Sequence, residues 1–126
     1  MGTLGLATPV VVICTRERGR ATAFYRDTLG LTLAREDDLA AVFDTGGITL
    51  RISTVADFAP HEHTILGFRV ADVAATVKSL TDNGLTFQRY SHIQQDELGI
   101  CTLPGGTVRV AWFRDPDGNV LSVTNV

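Results

Sequence analysis

Several features that mark whole classes of protein are scarce in this chain of 126 residues. It has only two cysteines, Cys14 and Cys101, and neither belongs to a CxxC pair. Small secreted domains usually carry more cysteines, so we predict two reduced thiols in a cytoplasmic protein. A disulfide between them has no support in the sequence. A reactive Cys14 thiol is a less favoured alternative to a small buried hydrophobe.

Strong charge and long apolar runs are also lacking. The formal net charge is −3, and the sequence has no basic run or basic–aromatic stripe, which argues against a nucleic-acid partner. No stretch has the length of a membrane-spanning helix, so no membrane association is expected. The segment Met1–Ile13 lacks a charged start and a cleavage pattern. We therefore expect it to lead into a strand rather than to act as a signal peptide.

The overall amino-acid composition is that of an ordinary globular protein. Hydrophobic residues make up 44% and charged residues 20% of the sequence. This length and composition fit a single domain, residues 1–126, with its own core.

Strand and helix patterns follow an order that occurs twice. In the first half, Thr8–Cys14 is a β-branched run typical of a strand, and Arg20–Leu29 has apolar residues at helical spacing before Gly30. Three further strands are predicted there, at Leu31–Arg35, Leu39–Phe43 and Ile48–Ser53.

The second half restarts after a connection at Thr54–Glu62. A strand at Thr64–Val70 precedes a helix that begins after the N-cap residue Asp72 and runs to about Asn83. The remaining strands are predicted at Leu85–Arg89, Gly99–Leu103, Val108–Phe113 and Val120–Asn125.

The repetition is visible in the letters, because Gly-Leu-Thr follows each helix, at Gly30 and at Gly84. We therefore predict an α+β fold of two diverged β-α-β-β-β modules, at about residues 6–54 and 64–126, with curved mixed sheets. Such a repeat implies pseudo-twofold symmetry. A small-molecule cleft is expected between the modules.

Two motifs on this repeat are quite specific. They are Ala23-Phe24-Tyr25-x-x-x-Leu29-Gly30-Leu31 and Phe113-x-Asp115-Pro116-Asp117-Gly118-Asn119. Together they resemble the vicinal oxygen chelate superfamily, which includes glyoxalase I, extradiol dioxygenases, and fosfomycin and bleomycin resistance proteins. The resemblance covers almost the whole chain and implies the fold and a homodimer. It indicates less about the reaction, because this superfamily hosts many chemistries and some proteins that are not enzymes.

Metal enzymes of that superfamily draw His, Gln or Glu ligands from the first and last strand of each half. The corresponding positions here are Val10, Arg51, Ile65 and Ser122. Valine and isoleucine have no donor atom, arginine is a fixed cation, and a serine hydroxyl alone is a poor ligand. A shift of the register by one or two residues offers only His63. The family metal ion is therefore not expected, and no cofactor is predicted.

Histidines outside these positions offer an alternative. His61 and His63 flank Glu62, and His92 lies shortly before two acidic residues. They would form a relocated metal site for a lyase, dioxygenase or isomerase, or they lie in solvated loops. We favour the loops, because nothing in the sequence fixes these segments near one another.

The resemblance implies that the family positions point into the cleft, and period-2 alternation from them predicts which other strand residues face it. The resemblance also places a cavity aromatic three residues before Asp115, at Trp112. The predicted ligand-binding set is mostly apolar, with one cation and the only tryptophan; it comprises Val10, Val12, Cys14, Arg51, Ser53, Ile65, Gly67, Trp112, Ser122 and Thr124. The planar guanidinium of Arg51 suits a carboxylate or phosphate, while Trp112 would stack on a flat group. A salt bridge from Arg51 to an acidic residue such as Asp44, or a solvated position at the strand end, is an equally weighted alternative.

These patterns predict a small-molecule partner. The favoured function is metal-independent binding or sequestration of a partly aromatic or anionic compound, in the manner of bleomycin resistance proteins. An enzyme of the same fold is the main alternative, and a ligand-sensing regulatory domain is a weaker one. Phe24 and Tyr25 are expected in the core, and the segment 115–118 is expected to build a hairpin turn.

Overall fold

The computed structural model describes residues 3–126, so Met1 and Gly2 of the predicted N-terminal segment lie outside the described residues. The chain forms two compact units that divide between Ala59 and Pro60. Each unit has a four-stranded mixed sheet and a helix. The predicted α+β class and the repeat are confirmed, whereas the single domain stays a prediction. Within residues 3–126, no helix has the length and apolar character needed to cross a membrane.

The first unit contains β1 (Val10–Thr15), α1 (Arg18–Ala23), β2 (Thr32–Glu36), β3 (Ala40–Thr45) and β4 (Ile48–Thr54). Its strand order is β1-β4-β3-β2, with β1 parallel to β4 and the other pairs antiparallel. Helix α1 continues as a π-helical segment, Phe24–Thr28, in which the Leu29 amide donates to the Phe24 carbonyl at 3.0 Å. The helical region thus begins two residues before its predicted start at Arg20.

The second unit contains β5 (Thr64–Arg69), α2 (Val73–Asp82), β6 (Cys101–Thr102), β7 (Arg109–Arg114) and β8 (Val120–Thr124). Its strand order, β5-β8-β7-β6, repeats that of the first unit. The predicted N-cap is confirmed, because the Asp72 carboxylate accepts from the Ala75 amide at 3.0 Å. This bond satisfies one of the free amides in the first helical turn.

The predicted strand Leu85–Arg89 is wrong as a strand and is reduced to a single bridge. Phe87 pairs with Phe113 of β7, and the Gln88 amide donates to the Trp112 carbonyl at 2.7 Å. Strand β6 pairs with the other end of β7. Two short segments therefore share the outer edge of β7, and residues 90–100 form an irregular segment between them.

Each sheet buries one face beneath its helical segment. In the first unit, Tyr25 is wholly buried and its ring lies 6.1 Å from that of Phe43, which confirms Tyr25 as a core residue. In the second unit, Phe113 and Leu121 are buried, as is Val77 of α2. The opposite face of each sheet is more open, and most of the predicted ligand-binding residues lie there.

Candidate functional site

The open face of the first sheet carries the predicted residues of that unit. Val10 and Val12 are each 56% exposed, whereas Ile13 between Val12 and Cys14 is 1% exposed. The strand register places Arg51 opposite Val12, and Ser53 opposite Cys14. Paired residues project to the same side of a sheet. These residues therefore share one face of the sheet, and their role in ligand binding stays a prediction.

Arg51 lies on this face in the same row as Arg35 of β2, because both are opposite Val42. Among residues 3–126 it forms no ion pair with Asp44 or with any other carboxylate, so the predicted salt bridge is not found in the described chain. The carboxylate of Asp37 is held by hydrogen bonds from the Leu39 and Ala40 amides, which lower its pKa. The positive charge of Arg51 adds to this lowering of the Asp37 pKa.

In the second unit, Gly67, Ser122 and Trp112 form one row across β5, β8 and β7. Thr124 lies opposite Val110 on the same pair of strands, two residues beyond Ser122. Ile65 falls at an irregularity of the β5–β8 register, between the paired residues 64 and 66. The alternation of side chains from which Ile65 was predicted is therefore interrupted at this end of β5.

A cavity of about 580 Å³ opens beside Trp112. Its walls come from the start of β5, the irregular segment, β7 and β8; they are Glu62, His63, Thr64, Tyr90, His92, Ile93, Trp112 and Val120. Its volume falls within the range of pockets that hold small organic ligands. From the predicted ligand-binding set, Trp112 is the residue that lines it, within the part of the chain that the structure describes.

Aromatic rings form one wall of the cavity. The rings of Tyr90 and Trp112 are nearly perpendicular, at 82°, with centroids 5.7 Å apart. The ring of His92 lies 5.8 Å from that of Tyr90. Edge-to-face contact is a favoured arrangement of aromatic side chains, because the positive edge of one ring meets the negative face of the other.

The irregular segment 90–100, which carries two of these rings, is held by its own side chains. Asp96 Oδ1 accepts from the amides of Leu98 and Ile100, each at 2.9 Å. Arg89 donates from its guanidinium to two carbonyls of the segment. These bonds fix the path of the chain without a helix or strand, so no periodic pattern in the sequence could indicate it.

Glu62 contributes a carboxylate to the cavity and is tied to the sheet. Its Oε2 lies 2.9 Å from an Arg114 guanidinium nitrogen. Arg114 also donates to the Gly118 carbonyl at 2.8 Å. The Glu62 side chain is 89% exposed, so its ion pair contributes little stability but restricts where the carboxylate lies.

The side chains at the family metal positions do not fit a divalent ion. Val10 and Ile65 have no donor atom, Arg51 is a cation, and Ser122 offers only a hydroxyl. Residues 3–126 contain no group of three His, Cys, Asp or Glu side chains placed to hold a metal ion.

The structure does correct one expectation about the histidines. Glu62, His63 and His92 line the same cavity, although no pattern in the sequence indicates that their segments meet. The ring of His61 stacks on that of His63 at 4.9 Å. A carboxylate and two imidazoles therefore share one pocket, within the described residues, even though they do not form a three-ligand cluster there.

A sequence profile of the Glyoxalase/Bleomycin resistance protein/Dioxygenase superfamily matches residues 8–123. The chain belongs to this superfamily. The match spans both β-α-β-β-β modules and confirms the resemblance that the two sequence motifs indicate.

This chain is also similar to individual proteins. The Bacillus subtilis (strain 168) protein YraH, itself uncharacterized, is 27% identical over 119 residues, covering 82% of this chain and 86% of YraH. The crystal structure of lactoylglutathione lyase from Agrobacterium tumefaciens has a TM-score of 0.72 at 17% identity, covering 94% of this chain and 92% of that one.

A superfamily member from Sphaerobacter thermophilus DSM 20745 also has a TM-score of 0.72, at 22% identity, covering 93% of this chain and 94% of that one. At these identities the two structural likenesses establish the fold.

Proposed function

We propose that this protein binds and sequesters a small, partly aromatic compound without using the metal centre of its superfamily. The observation that carries the proposal is the perpendicular Tyr90–Trp112 pair in the wall of a cavity of about 580 Å³. Ligand pockets are typically apolar hollows with a few polar groups that fix orientation. This cavity has that composition, with Ile93 and Val120 beside the rings and the Thr64 hydroxyl among the polar groups.

The same composition favours a flat ligand. An aromatic group that contacts a tryptophan or tyrosine ring gains about 0.5–1.5 kcal/mol beyond the burial of its area. Removal of apolar area from water adds about 25 cal/mol per Å². The imidazole of His92 and the carboxylate of Glu62 are available to orient polar substituents of the ligand.

We also propose that Arg51 binds a carboxylate or phosphate group on the open face of the first unit's sheet. Its guanidinium has no carboxylate partner among residues 3–126, and it lies in the row of Val12 on the open sheet face. A half-buried arginine of this kind suits a carboxylate or phosphate, because its planar donors match two oxygens at once.

A fluorescence titration tests the proposal. Trp112 is the only tryptophan, so quenching of its emission reports on this cavity alone. A panel of aromatic acids, amines and neutral arenes is added to the protein, and calorimetry repeats each positive titration on the Trp112→Phe and Trp112→Ala variants. Phe58→Ala is the matched control, because Phe58 packs under Arg16 of the first unit at 5.0 Å.

The proposal expects saturable binding that Trp112→Phe preserves, that Trp112→Ala weakens at least tenfold, and that Phe58→Ala leaves unchanged. Absence of any saturable quenching across the panel would reject this cavity as the binding site.

An enzyme with relocated metal ligands is the second candidate. It is favoured by the shared cavity of Glu62, His63 and His92. Elemental analysis of native, tag-free protein and thermal shifts with Ni²⁺, Zn²⁺, Mn²⁺ and Fe²⁺ separate the two functions. A stoichiometric metal that His92→Ala removes would favour the enzyme.

The homodimer and the cytoplasmic location are further proposals that rest on the resemblance. Sedimentation velocity of the purified protein tests the first, and fractionation of cells that express the chain tests the second.

A further inference from the structure

The side-chain amide of Gln95, in the irregular segment, makes three hydrogen bonds to the backbone. Gln95 Oε1 accepts from the Tyr90 amide at 2.8 Å. Gln95 Nε2 donates to the carbonyls of Gln88 and Gly99, each at 2.9 Å. The side chain therefore bridges the beginning and the end of the segment that carries the cavity's tyrosine.

These bonds define the orientation of the amide. Both hydrogens of Nε2 are used, and the oxygen faces a backbone donor, so the reversed amide would break all three bonds. Each bond contributes about 0.5–1.5 kcal/mol when both partners are satisfied. The bonds are also part-buried, and loss of the side chain would leave backbone groups without partners.

Two hydrogen bonds from backbone amides connect the Gln95 side chain to the aromatic wall of the cavity. The Gln88 amide donates to the Trp112 carbonyl at 2.7 Å, which fastens the start of the segment to β7. Two residues later, the Tyr90 amide is held by Gln95, and the Tyr90 ring meets the Trp112 ring at 5.7 Å. The position of the tyrosine ring therefore depends on a side chain that does not itself line the cavity, within the described residues.

We infer that Gln95 is a positioning residue that holds Tyr90 against Trp112 before a ligand arrives. The cavity is then preformed, and it selects rigid, flat compounds over flexible ones. A preformed wall spares the ligand the cost of ordering the segment, so association is fast. The choice of ligand rests on the proposed function, but the ring geometry can be measured without any ligand.

The test compares two variants, each of which replaces a carboxamide side chain by an apolar side chain of similar size. Gln95→Met keeps the length of the side chain and removes its three bonds. Asn125→Leu is the matched control, because Asn125 also bridges backbone groups, accepting from the Arg109 amide at 3.0 Å and donating to the Thr107 carbonyl at 2.8 Å. Both variants are examined by urea unfolding and by near-ultraviolet circular dichroism in the tryptophan band.

Gln95→Met is expected to lose most of the Trp112 dichroism, whereas Asn125→Leu keeps it at a similar loss of stability. With an aromatic compound identified by titration, Gln95→Met should slow association about tenfold, while Asn125→Leu leaves the rate unchanged. Unchanged dichroism and association rate in Gln95→Met would show that Gln95 is only structural and would overturn the inference.

Amide hydrogen exchange of the unmodified protein keeps the inference testable if Gln95→Met fails to fold. The Tyr90 amide should exchange about 100-fold more slowly than the amide of Gln94, which lies in the same irregular segment. An unprotected Tyr90 amide would also overturn the inference. A protected amide in a protein that binds none of the aromatic panel would leave the positioning role intact and reject the proposed function instead.

Discussion

Gly67 and Ser122 lie directly opposite each other on β5 and β8, and a Cβ atom on Gly67 would come within 2.9 Å of Ser122 Oγ. Ser122 is 6% exposed, so its hydroxyl has little room to move. Trp112 is the next residue of the same row. The missing side chain of Gly67 therefore leaves space for the serine beside the tryptophan of the cavity.

Gly67→Ala should destabilise the protein by about 1–3 kcal/mol, because the added methyl group overpacks this row. Ser122→Ala removes the opposing oxygen and should recover most of that loss in the double variant. Urea unfolding of the two single variants and the double variant measures the coupling. Simple addition of the two single effects would contradict the predicted clash.

Arg51→Ala should weaken the binding of small carboxylate or phosphate compounds to the first unit about tenfold or more, since a charge-assisted hydrogen bond contributes about 1.5–3 kcal/mol. Arg35→Ala is the control, because Arg35 and Arg51 both lie opposite Val42 in the sheet. Calorimetric titration of both variants gives the comparison. Unchanged affinity in Arg51→Ala would assign this arginine a role outside ligand binding.

Asp37 should make the first unit sensitive to acid. Hydrogen bonds from the Leu39 and Ala40 amides, together with the nearby Arg51 charge, lower its pKa. A lowered pKa in the folded state stabilises the fold above the ordinary pKa, and this contribution is lost as the pH falls through the folded-state pKa.

Thermal unfolding over a pH series tests this sign. Asp37→Asn should lower the melting temperature near neutral pH, and the difference from the unmodified protein should shrink in acid. Asp38→Asn, one residue along the same turn, serves as the control. A difference that persists unchanged in acid would show that the carboxylate charge is not the cause.

Asp115→Ala should cost about 2–4 kcal/mol of unfolding free energy. The buried Asp115 carboxylate accepts from the amides of Asp117 and Asn119 at 2.9 and 3.0 Å, and from Asn119 Nδ2 at 2.9 Å. Its loss leaves these donors buried without that partner. Denaturant unfolding checks the value. Asp82→Ala, at the exposed end of α2, should change stability by less than about 0.5 kcal/mol.

Much of the fold could be predicted from the sequence, because the alternation of buried and open residues in the strands is regular. The Asp72 cap and the glycines after the helices marked boundaries that the structure retains. The exception is Leu85–Arg89, whose letters resemble a strand. Whether this stretch pairs along its length depends on the path of the irregular segment that follows it. Within Leu85–Arg89, only Phe87 forms a bridge to β7.

The candidate site could be predicted only where it lies on a strand. Trp112 could be predicted because it lies three residues before Asp115, where the resemblance implies a cavity aromatic, and it lines the cavity. Tyr90 was not identified as a ligand contact, because its position depends on side-chain-to-backbone bonds from Gln95. Hydrogen bonds of this kind depend on the three-dimensional path of the chain, so they produce no periodic pattern in the sequence.

The divided edge of β7 has a consequence for how this protein could diversify. Phe87 and Cys101 each fasten to β7 independently, on either side of residues 90–100. An insertion, deletion or exchange within that stretch would therefore leave the alignment of the sheet unchanged while it replaced a whole wall of the cavity. Inheritance of the sheet and inheritance of ligand choice are separable in this unit, and a new recognition surface could arise by the replacement of one short, self-supporting piece.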